Sequence, residues 1–264
     1  MYRGYSISKK EIEDFFEKIG RKNGDYIEFF YKDQKKTVEK NMKNILQIME
    51  KEVLDAKKIQ DDWFPEINTH VFISHSHDDI ELAKNLAGWL YLRFGIESFI
   101  DSCVWGYADD LLKIIDFKYC KNPTGNTYNY KKRNFSTAHI HMMLMSALNK
   151  MIYKSECVFF LNTPNSNVGE GIKSETLSPW IYGEIEFSRT IHKEIPIRCK
   201  KFSTGGALDE SKKKLQMGHP LNLDHFYSLS YEDLSTWKER PINPNKPLDA
   251  LDELYKITPT KEIM

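Results

Sequence analysis

An excess of charge of either sign is missing from this chain: 38 Lys+Arg balance 38 Asp+Glu in 264 residues. Without a basic surplus there is no overall field to draw in a phosphate backbone, so general nucleic-acid binding is not expected. The short basic runs Lys131-Lys132-Arg133 and Lys212-Lys213-Lys214 read as solvated surface. Long apolar runs are lacking too. None approaches the roughly 20 residues needed to cross a bilayer, and the opening MYRGYSISKK has no apolar core of a secretory signal. Cysteine is scarce. Cys103, Cys120, Cys157 and Cys199 are scattered without a CxxC pair, which argues against a disulfide scaffold or a zinc site. Cys157 and Cys199 sit in strand-like apolar runs, where cysteine serves as a small buried hydrophobe. The expectation is a soluble protein of the reducing cytoplasm, with no bound metal and no membrane partner.

What the chain does have is aromatic and aliphatic bulk. Hydrophobic residues make up 41%, with 15 Phe, 14 Tyr and 5 Trp, enough for the core of one domain with an appendage. From Ile7 to about Ile59 the pattern is helical, with Val38, Met42, Ile45, Met49 and Val53 at steps of three and four. Gly20 and Asn23-Gly24 divide it, and Trp63-Phe64-Pro65 ends it. Residues 1–65 therefore read as a helical N-terminal extension, either packed on the main domain or forming a surface for self-association.

Short apolar runs then alternate with helical patterns. Strands are expected at His70–Ser74, Ile96–Ile100, Cys157–Leu161, Ile195–Cys199 and near Phe226–Leu229, with Pro196 making the fourth less secure as a central strand. Helices are expected from Ile80 to Leu90, His139 to Tyr153, Pro179 to about His192, and Tyr231 to Arg240. The stretch from Asp101 to about Phe135 reads as irregular. The main domain spans 66–240, and 241–264 is a proline-rich linker with a short helical tail. Alternating strands and helices imply a parallel sheet covered on both faces, with ligands beyond the carboxyl ends of the strands.

Two segments there carry chemistry. In Phe72-Ile73-Ser74-His75-Ser76-His77-Asp78-Asp79, Ser76 and Asp79 have capping-box spacing, and a helix N-terminus suits a phosphate. An ordinary capped helix start is the alternative. In Ser178-Pro179-Trp180-Ile181-Tyr182-Gly183-Glu184, Ser178 is a natural N-cap, and Trp180 and Glu184 share a face four residues apart. An aromatic plate beside a carboxylate suits a planar cationic ring attached to a sugar. Alternatively, Trp180 is core and Glu184 compensates the helix dipole. His139 and His141 lack the i, i+4 spacing of a zinc site.

FISHSHDD, GIESFIDS, ALNKMIYKSECVFFLNTPNS and SPWIYGEIEFS occur in this order. Together they resemble the successive boxes of Toll/interleukin-1 receptor (TIR) domains, particularly bacterial NAD-consuming ones such as Thoeris-like antiphage signalling proteins. The resemblance covers residues 69 to about 230. It implies a flavodoxin-like five-stranded parallel sheet and an NAD+ glycohydrolase that releases nicotinamide and yields ADP-ribose or a cyclic or conjugated variant. Glu184 would be the catalytic carboxylate, Trp180 its aromatic neighbour, and Ser74, His75, Ser76 and the stretch from Asp101 to about Tyr107 the nucleotide contacts. NAD+ would be the substrate, with no separate cofactor. TIR-type self-association and a separate effector responding to the product, in antiviral defence, are the implied partners. Gly183 departs from the bulkier residues common in the family at that position. A non-catalytic TIR interaction module and a nucleoside transferase remain the alternatives.

Overall fold

The computed structural model describes residues 1–20, 31–32, 36, 54–105, 108–168, 174–199 and 219–258. The heptad-like run from Val38 to Val53 and the Gly106-Tyr107 end of the expected nucleotide loop lie outside them.

The chain starts inside the sheet. Strand β1 (Arg3–Ser8) is followed by α1 (Lys9–Ile19), capped by the Ser8 side chain and stopped at Gly20, whose φ of 65° is left-handed. Helix α2 (Ala56–Trp63) ends where Trp63-Phe64-Pro65 predicted. Then come β2 (Val71–Ser74), a single 3-10 turn (His77–Asp79), α3 (Ile80–Phe94) and β3 (Ser98–Phe99). The stretch expected to be irregular contains α4 (Asp101–Val104), α5 (Ala108–Ile115) and a π turn (Asp116–Cys120). Asp109 and Asp110 lie in the first turn of α5, whose Leu111 and Ile115 are buried. Helix α6 (Tyr130–Lys154) starts well before His139 and leads into β4 (Cys157–Asn162). A two-residue strand β5 (Glu175–Thr176) precedes α7 (Pro179–Thr190). It pairs antiparallel with β6 (His219–Pro220), and the described chain ends with β7 (Phe226–Leu229), α8 (Tyr231–Lys238) and α9 (Pro247–Ile257).

The five main strands form one parallel sheet in the order β3-β2-β4-β1-β7. This is an α/β architecture compatible with a flavodoxin-like fold. The strand count agrees with the sequence reading, but the membership does not. Ile195–Cys199 is not a strand: Pro196 removes a ladder donor, and Ile197–Cys199 forms a 3-10 turn with Ile197 exposed. The fifth strand is β1, which lies between β4 and β7 and pairs with both. The first residues are thus not a helical extension. Tyr5 and Ile7 are completely buried, and Gly4 is required because a Cβ there would lie 2.1 Å from the Phe226 ring.

The two faces are readable from side-chain contacts. Phe159 of β4 stacks on Trp237 of α8, which meets Trp89 of α3, and Trp89 meets Phe15 of α1. Helices α1, α3 and α8 therefore share one face. Helices α6 and α7 pack together on the other. There a Cβ on Gly183 would lie 2.4 Å from Met145 Cε, so the missing side chain lets α7 approach α6 closely. No helix among the described residues is long and apolar enough to cross a membrane.

Candidate functional site

Glu184 is placed by the geometry of α7. Ile181, Glu184, Ile185 and Ser188 form the buried stripe of that helix, at helical spacing. The carboxylate thus sits on the face turned to the sheet, with 5% of the residue exposed. It accepts a 2.6 Å hydrogen bond from Ser74 Oγ at the carboxyl end of β2. It forms no salt bridge among the described residues. Burial, then the negative charge of Asp101, push the Glu184 carboxyl from its ordinary 4.5 up to about 8, and the Ser74 hydrogen bond pulls only partly the other way. At neutral pH the acid is therefore mostly protonated.

Asp101 begins α4, and its Oδ1 accepts from the Ser102 backbone N–H at 2.7 Å. His75 follows Ser74, with Nδ1 3.2 Å from the Ile73 carbonyl and Nε2 3.3 Å from Ser102 Oγ. This contact ties the turn after β2 to the segment after β3. Ser74, His75, Asp101 and Glu184 thus converge where the chain leaves β2 for one face and β4 for the other, the reversal at which ligands bind in such sheets.

Three sequence expectations come out differently. Ser76 and Asp79 form no capping box: Ser76 makes no side-chain cap, and α3 begins one 3-10 turn later. Asp79 turns inward instead, with 6% exposed, and accepts from Thr163 Oγ1 at 2.5 Å and Asn165 Nδ2 at 2.8 Å. Asp79 is the N-cap residue of α3 but bonds none of its N–H groups; its negative charge beside that helix end makes the turn a poor phosphate cradle. Trp180 is half-buried and meets His141 of α6 edge-on, with ring centroids 5.0 Å apart. Its position is on the α6 flank of α7, while Glu184 points to the sheet.

The Asp79 lock pins the loop after β4 and was not evident beforehand. Ser166 completes it, donating from Oγ to the Leu161 carbonyl at 2.7 Å. The polar run Asn162-Thr163-Pro164-Asn165-Ser166-Asn167 directly after an apolar strand was its available signal. Asp79→Ala takes the acceptor from the buried Thr163 hydroxyl, while the exposed Asn165 amide can turn to solvent, and is expected to cost about 1–3 kcal/mol. In urea unfolding the midpoint should drop with an unchanged slope; an unchanged midpoint would show that the lock contributes nothing.

An open cleft of about 570 Å³ lies at the carboxyl ends of β1 and β4, lined by Ser8, Asn162, Thr163, Pro164, Asn167 and Val168. None of the residues singled out from the sequence lines it. Among the described residues no cluster of three or more His, Cys, Asp or Glu is arranged to hold a metal. No family model, characterised protein or solved structure matches this chain.

Proposed function

We propose that this protein is an NAD+ glycohydrolase of TIR type, with Glu184 as the carboxylate that acts on the nicotinamide ribose. The observation carrying this reading is a buried acid with no cationic partner among the described residues, held by Ser74 and set beside a second acid, Asp101. Such an acid lacks one thing, a positive charge. A pyridinium ribose supplies it, and the charge on the sugar grows as the glycosidic bond breaks towards an oxocarbenium ion. The electrons of that bond leave with nicotinamide, which becomes neutral, so the leaving group needs no general acid. Ionised Glu184 stabilises the cationic sugar, and water or another nucleophile captures it to give ADP-ribose or a cyclic or conjugated product. Ser74 orients the carboxylate.

A purely structural or docking role explains this acid less well. A scaffold gains nothing from an uncompensated carboxyl in its interior, where burial without a cation is unfavourable. By the same resemblance, self-association and a separate effector that responds to the product belong to this proposal, as does a role in antiviral defence.

The pH dependence follows from the position of Glu184. The ionised form is the working form, and it is gained as pH rises through about 8. The kcat/KM for NAD+ is therefore expected to climb by up to about tenfold per pH unit below that point and to level off above it. A flat profile between pH 6 and 9 would assign the chemistry to another group. The reaction itself is tested by incubating the protein with NAD+ and identifying products by mass. Free nicotinamide with an ADP-ribose species supports the proposal, and intact NAD+ after prolonged incubation at pH 8.5 rejects it.

A further inference from the structure

The N-terminal strand creates a second reversal in the sheet. Strand β4 sends its chain towards α7, while its two neighbours, β2 and β1, send theirs to α3 and α1 on the opposite face. Crevices therefore open on both sides of the β4 carboxyl end. The first holds Ser74 and Glu184. The second is the cleft between Ser8 and Asn162.

We propose that this second cleft binds the adenosine half of the dinucleotide whose nicotinamide ribose lies at Glu184, an assignment that rests on the function proposed above. The two places are on the same face of the sheet. Ser74 faces α7 and is in register with Phe160; Asn162 is two residues further along β4 and in register with Ser8. Strand alternation therefore aims Asn162 to the α7 side as well. Two strand spacings of about 4.8 Å and two residues of about 3.3 Å put the Ser8 and Ser74 Cα atoms roughly 12 Å apart. A ribose-pyrophosphate backbone bridges such a gap.

The lining chemistry selects the nucleoside. Among the described residues that line the cleft none is charged, a set that suits a neutral base and sugar better than a phosphate. Pro164 and the partly exposed Val168 offer an apolar wall for a planar ring. Asn162 supplies the polar contact, because Asn167 Nδ2 donates to its Oδ1 at 3.1 Å and fixes the orientation of the amide. The Asn162 NH2 group, with no acceptor among the described residues, is left to donate to a ring nitrogen of adenine. Carboxamides suit this base because its edge pairs an acceptor with a donor. The turn after β2 is the competing place for this half, and there the Asp79 carboxylate is already seated.

The test compares NAD+ with nicotinamide mononucleotide, which has the same scissile bond but no adenosine. Asn162→Leu should raise KM for NAD+ by about five- to tenfold, the worth of one neutral hydrogen bond, with kcat little changed and mononucleotide kinetics unaltered. Asn162→Asp keeps the acceptor that Asn167 needs but loses the donor, and should behave alike. AMP, titrated calorimetrically, should bind wild type and Glu184→Gln alike and each Asn162 variant about five- to tenfold more weakly. Equal losses on both substrates, or AMP binding untouched by both Asn162 changes, would overturn the assignment. If the wild type cleaves neither substrate, the reading of Glu184 fails, and AMP titration still decides the cleft.

Discussion

Glu184→Gln is expected to lower nicotinamide release by about 10²–10³-fold while making the protein harder to unfold. Both effects come from one cause. Glutamine keeps an oxygen to accept from Ser74 and fits the same space, but it carries no negative charge to set against the developing cation. It also has no proton to lose. In the wild type the Glu184 carboxyl is raised from 4.5 to about 8, so the folded protein holds this proton over a range where the unfolded chain has released it. Stability from this group is complete below about 4.5 and is lost as pH rises through 8. At about 1.4 kcal/mol for each tenfold change in proton affinity, the loss amounts to a few kcal/mol at pH 9. The variant escapes it. Its thermal midpoint should match the wild type at pH 4.5 and exceed it by roughly 5–10 °C at pH 9. A variant equally stable at both pH values, relative to wild type, would mean that Glu184 is not held neutral in the fold. Opposite movements of activity and stability are the usual mark of a residue kept for function.

Deleting residues 1–8 is expected to abolish cooperative folding. The segment supplies an interior strand, two complete hydrogen-bond ladders, and the buried side chains of Tyr5 and Ile7. It also anchors the far end of the chain: Arg3 Nη1 donates to the Thr258 carbonyl at 2.6 Å, and the Tyr5 hydroxyl lies 3.1 Å from Thr258 Oγ1. Full burial of the two side chains alone is worth about 1.5–3 kcal/mol each, and a whole domain has a margin of only about 5–15 kcal/mol. A dispensable appendage would leave a sharp thermal transition by circular dichroism after truncation; this strand should leave none. Gly4→Val probes the same contact more gently, since its side chain must displace the Phe226 ring, and should cost about 1–3 kcal/mol.

That strand also shows where sequence reasoning stopped. Val71–Ser74, Cys157–Asn162 and Phe226–Leu229 were legible because each is an apolar run between turn signals. Arg-Gly-Tyr-Ser-Ile-Ser reads as nothing of the kind. Its apolar bulk falls only on Tyr5 and Ile7, which alternate with Gly4, Ser6 and Ser8, small residues on the side that Phe160 and Phe226 fill. Ile195–Cys199 has the richer strand composition yet stands outside the sheet, where Arg198 pairs with Glu156 and Asp252 instead. The helices were clearer, as their caps and stripes repeat over several turns. In the site, Glu184 stood out by its spacing from Trp180, but its inward aim follows from a different pattern, its place on the Ile181-Ile185-Ser188 stripe. The partners were legible from their places, Ser74 as the last residue of its strand and Asp101 as a residue just past the next. The Asp79 lock and the Asn162 cleft were not, because both depend on contacts between segments some 80 to 150 residues apart.

The account stands on one carboxylate meeting one cationic sugar. Its most direct measurement is nicotinamide released from NAD+ at pH 8.5, followed by mass for wild type and Glu184→Gln at equal concentration. Steady release by the wild type, with at least about a hundredfold less from the variant, is the expected result. Equal release from both would place the chemistry elsewhere in the molecule.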